Sequence, residues 1–281
     1  MTASVEDIER AVVTLAEVWR GRGAAKLPLP NLVGVGSGRC GTSHLYGLLK
    51  PQPDVYVTPV KEANYFGVAS RQGMTLAEYR TFFAGRRDER WISEITPVYL
   101  HAPQGLEEMR EALGPIKLMV TLRNPLTRTV SHFKFHRAYH GYDDLGAYLE
   151  TGMTEIAKGT AKNWAAASQG IRMSLYADRL AAARSLFGPE NVLVLIYEDL
   201  VEDPEIWTRQ VSNFLEVPID GSLVAAVFRN PSKKETIELP EGPAARRMFD
   251  LFAEDAAKLE PMVGPDVIGR WAAESRTAAA A

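Results

Sequence analysis

Apolar positions along the chain keep two rhythms, and the switches between them predict the elements. Leu32-Val33-Gly34-Val35 is a short apolar run with Pro30 before it and Gly36 after it, the pattern of a buried strand. Leu45, Leu48 and Leu49 then recur at helical spacing, so the chain passes from strand through a glycine turn into a helix. The same alternation predicts strands over 54–57, 91–95, 117–122 and 191–196. Helices are predicted over 75–84, 104–113, 125–139, 170–187, 207–215 and 244–259. Ahead of these, Ile8, Val12, Leu15 and Val18 or Trp19 share one face of a helix over 2–20, with Ser4 and Asp7 as a capping pair. A Gly/Pro-rich connector over 21–30 follows. Residues 140–170 are less regular, and the tail is alanine-rich.

Strands alternating with helices build a mostly parallel sheet with right-handed crossovers. Ligands of such sheets collect outside the carboxyl ends of the strands, where the strand order reverses. Three polar clusters stand at such ends, 36–43, 58–66 and 123–131. In the third, Asn124 is placed as an N-cap and Pro125 as the first helical residue.

Composition narrows the partners. The 281 residues, 46% hydrophobic and 24% charged, suit a soluble α/β protein, and the unbroken alternation favours one domain over 1–281 with 1–30 as an appendage. A net charge of −3 offers no global field for nucleic acid, so anion binding has to be local. The single cysteine, Cys40, excludes an internal disulfide framework and a cysteine metal cluster. No apolar run approaches a membrane span, and the acidic, amphipathic N-terminus is unlike a signal peptide, so the expected compartment is the cytoplasm. Oligomeric state is left open.

The cluster Gly36-Ser37-Gly38-Arg39-Cys40-Gly41-Thr42-Ser43 carries the chemistry. A strand, a glycine turn and a helix start aim backbone N–H groups and a positive dipole end at an anion. Arg39 adds a fixed cation, and Thr42 and Ser43 add hydroxyl donors. A magnesium triphosphate would want a lysine after the last glycine, where Thr42 stands, and an aspartate after 117–122, where Arg123-Asn124 stands. An NAD(P)-dependent oxidoreductase finds a literal G-x-G-x-x-G in 36–41 but no acid closing the second strand, which ends Tyr56-Val57-Thr58. On the loop alone that reading stays open, as does a non-catalytic nucleotide-binding protein.

Several segments together carry a resemblance to a known family. The loop 36–43 resembles the 5′-phosphosulfate loop of sulfotransferases that use 3′-phosphoadenosine 5′-phosphosulfate (PAPS). Leu122-Arg123-Asn124-Pro125, continuing through Arg128 to Ser131-His132-Phe133, resembles the family's 3′-phosphate motif. Lys61-Glu62-Ala63-Asn64-Tyr65-Phe66 is similar to its Lys-Glu-x-x-x-Phe stretch. Ser174-x-Tyr176, the run 191–200 with Tyr197, Asp203-Pro204 and Phe214-Leu215 continue in the same order, so the resemblance covers roughly 31–235. It is closest to the glutamate-base branch of bacterial and carbohydrate sulfotransferases. It implies a P-loop-like, three-layer α/β/α fold around a central, mostly parallel sheet of about five strands. It also implies transfer of the PAPS sulfonate to a hydroxyl of a carbohydrate or small-molecule acceptor, leaving adenosine 3′,5′-bisphosphate, with no metal.

The resemblance implies roles residue by residue. Glu62 becomes the general base that takes the acceptor's hydroxyl proton. Arg39 stands where the family usually has lysine; it stabilises charge but holds its proton too tightly to act as an acid. Ser37, Gly38, Arg39, Cys40, Gly41, Thr42 and Ser43 cradle the 5′ end, Arg123 and Ser131 serve the 3′ end, and Tyr197 is a further cofactor-binding residue. Lys233 and Lys234 resemble a late basic loop that closes over the 3′-phosphate. Lys61, Tyr65, Phe66, His136 and Trp164 are the acceptor-side candidates. The stretch 134–169, with Lys134, Arg137, Tyr139, His140 and Tyr142, reads equally as an acceptor wall or as a packed helical insertion. Arg128, near the same flank as Ser131, could contribute there but reads first as a surface arginine. His132 and His136, spaced i, i+4 without the glutamate of a zinc helix, read as packing residues. Ile95 stands where glycosaminoglycan-modifying relatives resembling this pattern carry lysine, which argues against a highly anionic polysaccharide acceptor.

Overall fold

Five strands make one parallel sheet: β1 (Leu32–Gly36), β2 (Val55–Val57), β3 (Trp91–Ile95), β4 (Lys117–Leu122) and β5 (Val192–Ile196), in the order β2-β3-β1-β4-β5. The structure, a computed structural model, describes residues 27–102, 104–160, 166–225 and 242–279. The helix expected over 2–20, most of its connector, and Trp164, Lys233 and Lys234 lie outside the described residues. The first strand sits at the centre of the sheet. The chain adds β2 and β3 on one side of β1 and then crosses to add β4 and β5 on the other. The switch point therefore lies at the carboxyl end of β1.

Side-chain alternation sends each strand's apolar residues to two faces. Val33 and Val35 of β1 and Leu118, Val120 and Leu122 of β4 meet α3 (Gly105–Leu113), α7 (Ala177–Phe187), and Leu259 and Trp271 of α10 (Pro243–Val263) and α11 (Pro265–Ala279). Leu32, Ile95, Met119 and Leu195 face the opposite side, against α1 (Thr42–Leu49), α8 (Tyr197–Glu202) and α9 (Pro204–Leu215) with its buried Trp207. Each leucine, isoleucine or valine removed from water in these layers contributes about 1.5–3 kcal/mol. A third cluster joins α4 (Pro125–His140), α5 (Leu145–Lys158), α6 (Ala167–Arg172) and α10 through Val130, Phe133, Tyr148, Ile171 and Phe252.

Four stretches differ from the sequence pattern. The helix expected over 75–84 is a short α2 (Leu76–Arg80) with a reciprocal Thr75–Glu78 cap, continued by one tight turn, Thr81–Phe83. The irregular stretch 140–170 contains α5 and α6, with Asp144 capping α5 through Ala147 N at 2.7 Å. The helix expected over 170–187 breaks between Arg172 and Ala177. Its second half starts on a carboxylate from α10, because Asp255 accepts from Tyr176 N at 2.8 Å and Ala177 N at 3.1 Å. The alanine-rich tail is helical as far as Ala279, within α11, in keeping with alanine's helix propensity and with the anchoring of Trp271 in the core.

Candidate active site

The glycine loop begins where β1 meets the turn after β3. Gly36 has φ 125°, and a Cβ there would lie 2.1 Å from the Pro97 carbonyl oxygen, so no side chain fits. Ser37 is wholly buried. Its N–H donates to Thr121 O at 2.6 Å and its hydroxyl to Met173 O at 3.0 Å. With that proton committed, the hydroxyl oxygen accepts from Nε2–H of His101, 3.0 Å away. Burial, with Arg128 and Arg179 nearby, pulls the His101 ring down to about 3, which keeps it neutral at ordinary pH. Ser37 and His101 thus anchor the loop from beneath, and the Ser37 hydroxyl does not face a ligand as expected.

Beyond Ser37 the loop turns outward. Arg39 and Gly41 have φ of 71° and 89°, and α1 starts at Thr42 with no side chain capping it. Thr42 is buried and Ser43 exposed. The Cys40 thiol is buried against Gly38 O, and that burial pushes it up to about 11, so it is an inert packing group.

The second tip, at the end of β4, lies beside the first because β1 and β4 pair directly. Arg123 donates through Nε to Thr127 Oγ1 at 2.8 Å and through Nη1 to Arg39 O at 3.4 Å, and its guanidinium lies 4.5 Å above the Tyr197 ring. Asn124 caps α4 as its sequence predicts, accepting from Leu126 N at 3.0 Å. Two turns along α4, Ser131 Oγ accepts from Arg39 Nε at 3.1 Å, and the Arg39 guanidinium stacks 4.1 Å from the Phe135 ring. Burial, then Arg123 and Arg128, lower the Arg39 pKa from its usual value, yet arginine stays cationic. The structure therefore brings Arg39, Arg123, Ser131 and Tyr197 together.

The third tip carries Lys61 and Glu62, which form an ion pair at the rim. Glu62 N donates to Ile95 O at 3.2 Å, fixing the segment to the end of β3, the other neighbour of β1. Asn64 N donates to Thr96 Oγ1 at 3.3 Å and Tyr65 N to Tyr99 Oη at 2.7 Å. Behind them the buried Glu94 carboxylate accepts from Tyr99 Oη at 3.0 Å, Thr96 Oγ1 at 2.9 Å and Tyr79 Oη. Burial raises the Glu94 carboxyl above its usual range, against the pull of these hydrogen bonds.

Several expectations change here. Tyr65 and Phe66 do not face an acceptor: Tyr65 stacks on Tyr79 at 4.5 Å, and Phe66 meets Tyr79 and Tyr99 edge-on at 5.2 and 5.5 Å, all within the core. Two aromatic rings complete the apolar layer under the segment, and that burial outweighs exposure at the rim. Ile95 is likewise buried, against Gly34, so its identity reports on sheet packing and not on acceptor charge. Arg128 is wholly buried and not at the surface, because the loop carbonyl of Gly38 lies within reach of its Nε at 2.9 Å. His132 packs on it, with Nδ1 2.9 Å from Arg128 Nη2, and His136 stacks 4.2 Å from His132. The 134–169 stretch is in large part packed helix, with Tyr148, Leu149 and Met153 buried, while Lys134 and Arg137 are exposed. His101 and Glu94 brace the loop and the third tip without a sequence signal, and Arg128, expected at the surface, lies behind the loop. Only Arg128 left a signal, since it precedes Ser131 by three residues and so shares its helix face.

A glycine loop on the central strand thus lies beside an arginine at the tip of the next strand and a serine on the helix that follows, an arrangement of the kind that receives anions in α/β folds. The chain belongs to the sulfotransferase domain family, which it matches over residues 34–245. It is 26% identical over 202 residues to mouse heparan sulfate glucosamine 3-O-sulfotransferase 3B1, covering 72% of this chain and 49% of that protein. The chain spans about half the length of the heparan sulfate relatives it matches. Among solved structures, a sulfotransferase from Alicyclobacillus acidocaldarius is 26% identical, with a TM-score of 0.67 over 84% of this chain and 96% of that one. Mouse sulfotransferase SULT7A1 complexed with PAP, at 16% identity and a TM-score of 0.52 over 94% of this chain and 95% of that one, shares the fold. Family membership sets aside the nicotinamide reading of the G-x-G-x-x-G match. Among the described residues, no helix is long and apolar enough to cross a membrane.

Proposed function

We propose that the chain is a PAPS-dependent sulfotransferase, a single catalytic domain that moves a sulfonate onto the hydroxyl of a carbohydrate or small-molecule acceptor in the cytoplasm. The observation that carries this reading is the contact between the two strand tips. Arg39 of the glycine loop touches Ser131, and Arg123 touches the Arg39 carbonyl, which supports a reading in which one nucleotide with phosphates at both ends spans them. The donor set suits such a ligand. Among the described residues Arg39 and Arg123 contact hydroxyls, a carbonyl and aromatic rings, with no carboxylate to neutralise them. Bidentate guanidinium groups match phosphate oxygens, and half-buried cations with no acidic partner favour an anion.

PAPS, when bound, supplies a sulfonate on a phosphate leaving group. Gly38, Gly41, Thr42 and Ser43 hold the 5′ end with N–H and hydroxyl donors, and Arg123, Ser131 and Tyr197 hold the 3′ end and adenosine, with Lys233 and Lys234 closing over it. Arg39 neutralises negative charge at the transferring group. Glu62, at the mouth of the same rim, takes the acceptor hydroxyl proton as the new bond forms, and Lys61 orients it. The exposed Val60 and Phe135, 56% and 59% accessible, give the acceptor side an apolar surface suited to a ring face. In this reading His136 is assigned to the same acceptor side, as Trp164 is by its sequence alone.

The test is sulfonate transfer from labelled PAPS to a panel of acceptor alcohols. Glu62→Gln should bind adenosine 3′,5′-bisphosphate normally and lose about 10²–10⁴-fold in turnover. Unchanged turnover removes Glu62 from the role of base.

A further inference from the structure

Among the described residues near the loop, Arg128 is a charged group whose burial the reaction scheme leaves unexplained. It is wholly buried on α4, and its partners among the described residues are Gly38 O at 2.9 Å, Gly170 O at 2.6 Å, Ser174 Oγ at 3.3 Å, His132 Nδ1 at 2.9 Å and Met173 Sδ at 3.8 Å. All five are neutral acceptors. A guanidinium taken out of water is costly unless an anion compensates it, and the protein provides none among these contacts.

The contact with Gly38 has a geometric consequence. A trans peptide points its C=O and its N–H in opposite directions. The Gly38–Arg39 peptide is trans. With Arg128 behind the Gly38 oxygen, the Arg39 N–H points away from the buried side, and it meets no acceptor among the described residues. Arg123 acts on the next carbonyl, Arg39 O, from the β4 side. A cation on a carbonyl also polarises its peptide, which strengthens the N–H at the other end as a donor. The positive φ at Arg39 and Gly41 completes a concave run of backbone of the kind that receives anions.

We propose that Arg128 is a positioning residue for sulfonate transfer: from behind the loop it fixes the Gly38–Arg39 peptide with its N–H turned to the 5′-phosphate end, and its uncompensated charge is neutralised when that phosphate binds. This rests on the sulfotransferase reading above. The role is specific to the 5′ end, because Arg128 touches Gly38 and not Arg123 or Ser131.

That specificity sets the experiment. Calorimetry compares adenosine 3′,5′-bisphosphate with adenosine 3′-monophosphate on wild type, Arg128→Lys and Arg128→Met. The ratio of the two affinities isolates the 5′-phosphate. In both variants this ratio should fall about tenfold or more, while affinity for the 3′-monophosphate stays within about twofold. Should the methionine variant fail to fold, the lysine variant, which keeps the charge but lacks the planar fork that reaches Gly38 O and Gly170 O together, carries the comparison. A parallel loss of both affinities marks Arg128 as purely structural and overturns the proposal, as does a ratio unchanged from wild type. A wild-type protein that fails to prefer the bisphosphate overturns the sulfotransferase reading itself, and this proposal with it.

Discussion

His101→Gln turns the loop's half-buried anchor into a measurable pH effect. The folded ring titrates near 3, against about 6.5 for a histidine free of the fold. Its folded pKa is depressed, so the unfolded chain binds the extra proton first. The stability linked to neutral His101 is fully present above about pH 6.5 and is lost as pH falls towards 3. At about pH 5 protonation favours the unfolded chain by about 2 kcal/mol, and at about pH 7.5 by almost nothing. Glutamine keeps an N–H donor for Ser37 Oγ but cannot titrate. Urea unfolding of both proteins at the two pH values gives the difference directly, since contributions from all other groups cancel. Wild type should lose about 2 kcal/mol more than the variant between the two conditions. Equal losses would show that His101 already carries a proton in the folded protein at pH 5, and the reasoning about Ser37 would fail.

Three further outcomes follow from the same geometry. Gly36→Ala drives a methyl group into the Pro97 carbonyl at a φ that suits glycine, and should destabilise the fold by about 2 kcal/mol or more in thermal denaturation and abolish bisphosphate binding. Arg123→Ala should weaken adenosine 3′,5′-bisphosphate about 10–100-fold while leaving the 5′-monophosphate unchanged by titration, because only the 3′ end loses a charged donor. The raised Cys40 thiol should form about a hundredfold less thiolate than an ordinary cysteine at a given pH, so a thiol reagent should label it only as fast as the protein unfolds.

The sheet was legible because buried parallel strands are short apolar runs, and the five runs identified are the five strands described. The Asn124 cap and the strand tips were legible for the same reason, as local patterns with local causes. Tertiary partners were not. Nothing near Ala177 reveals that Asp255 starts its helix, and nothing near Tyr65 reveals the ring of Tyr79 above it. Arg128 shows the limit most plainly. Its charge suggests a surface, and only the fold shows that a loop ninety residues earlier supplies the carbonyl that draws it inside.

The most direct measurement is a calorimetric titration of the intact protein with adenosine 3′,5′-bisphosphate, adenosine 3′-monophosphate and adenosine 5′-monophosphate. If the tips of β1 and β4 hold opposite ends of one nucleotide, the bisphosphate binds at least about tenfold more tightly than either monophosphate. If one monophosphate binds as tightly as the bisphosphate, only one tip engages the ligand, and the account is contradicted.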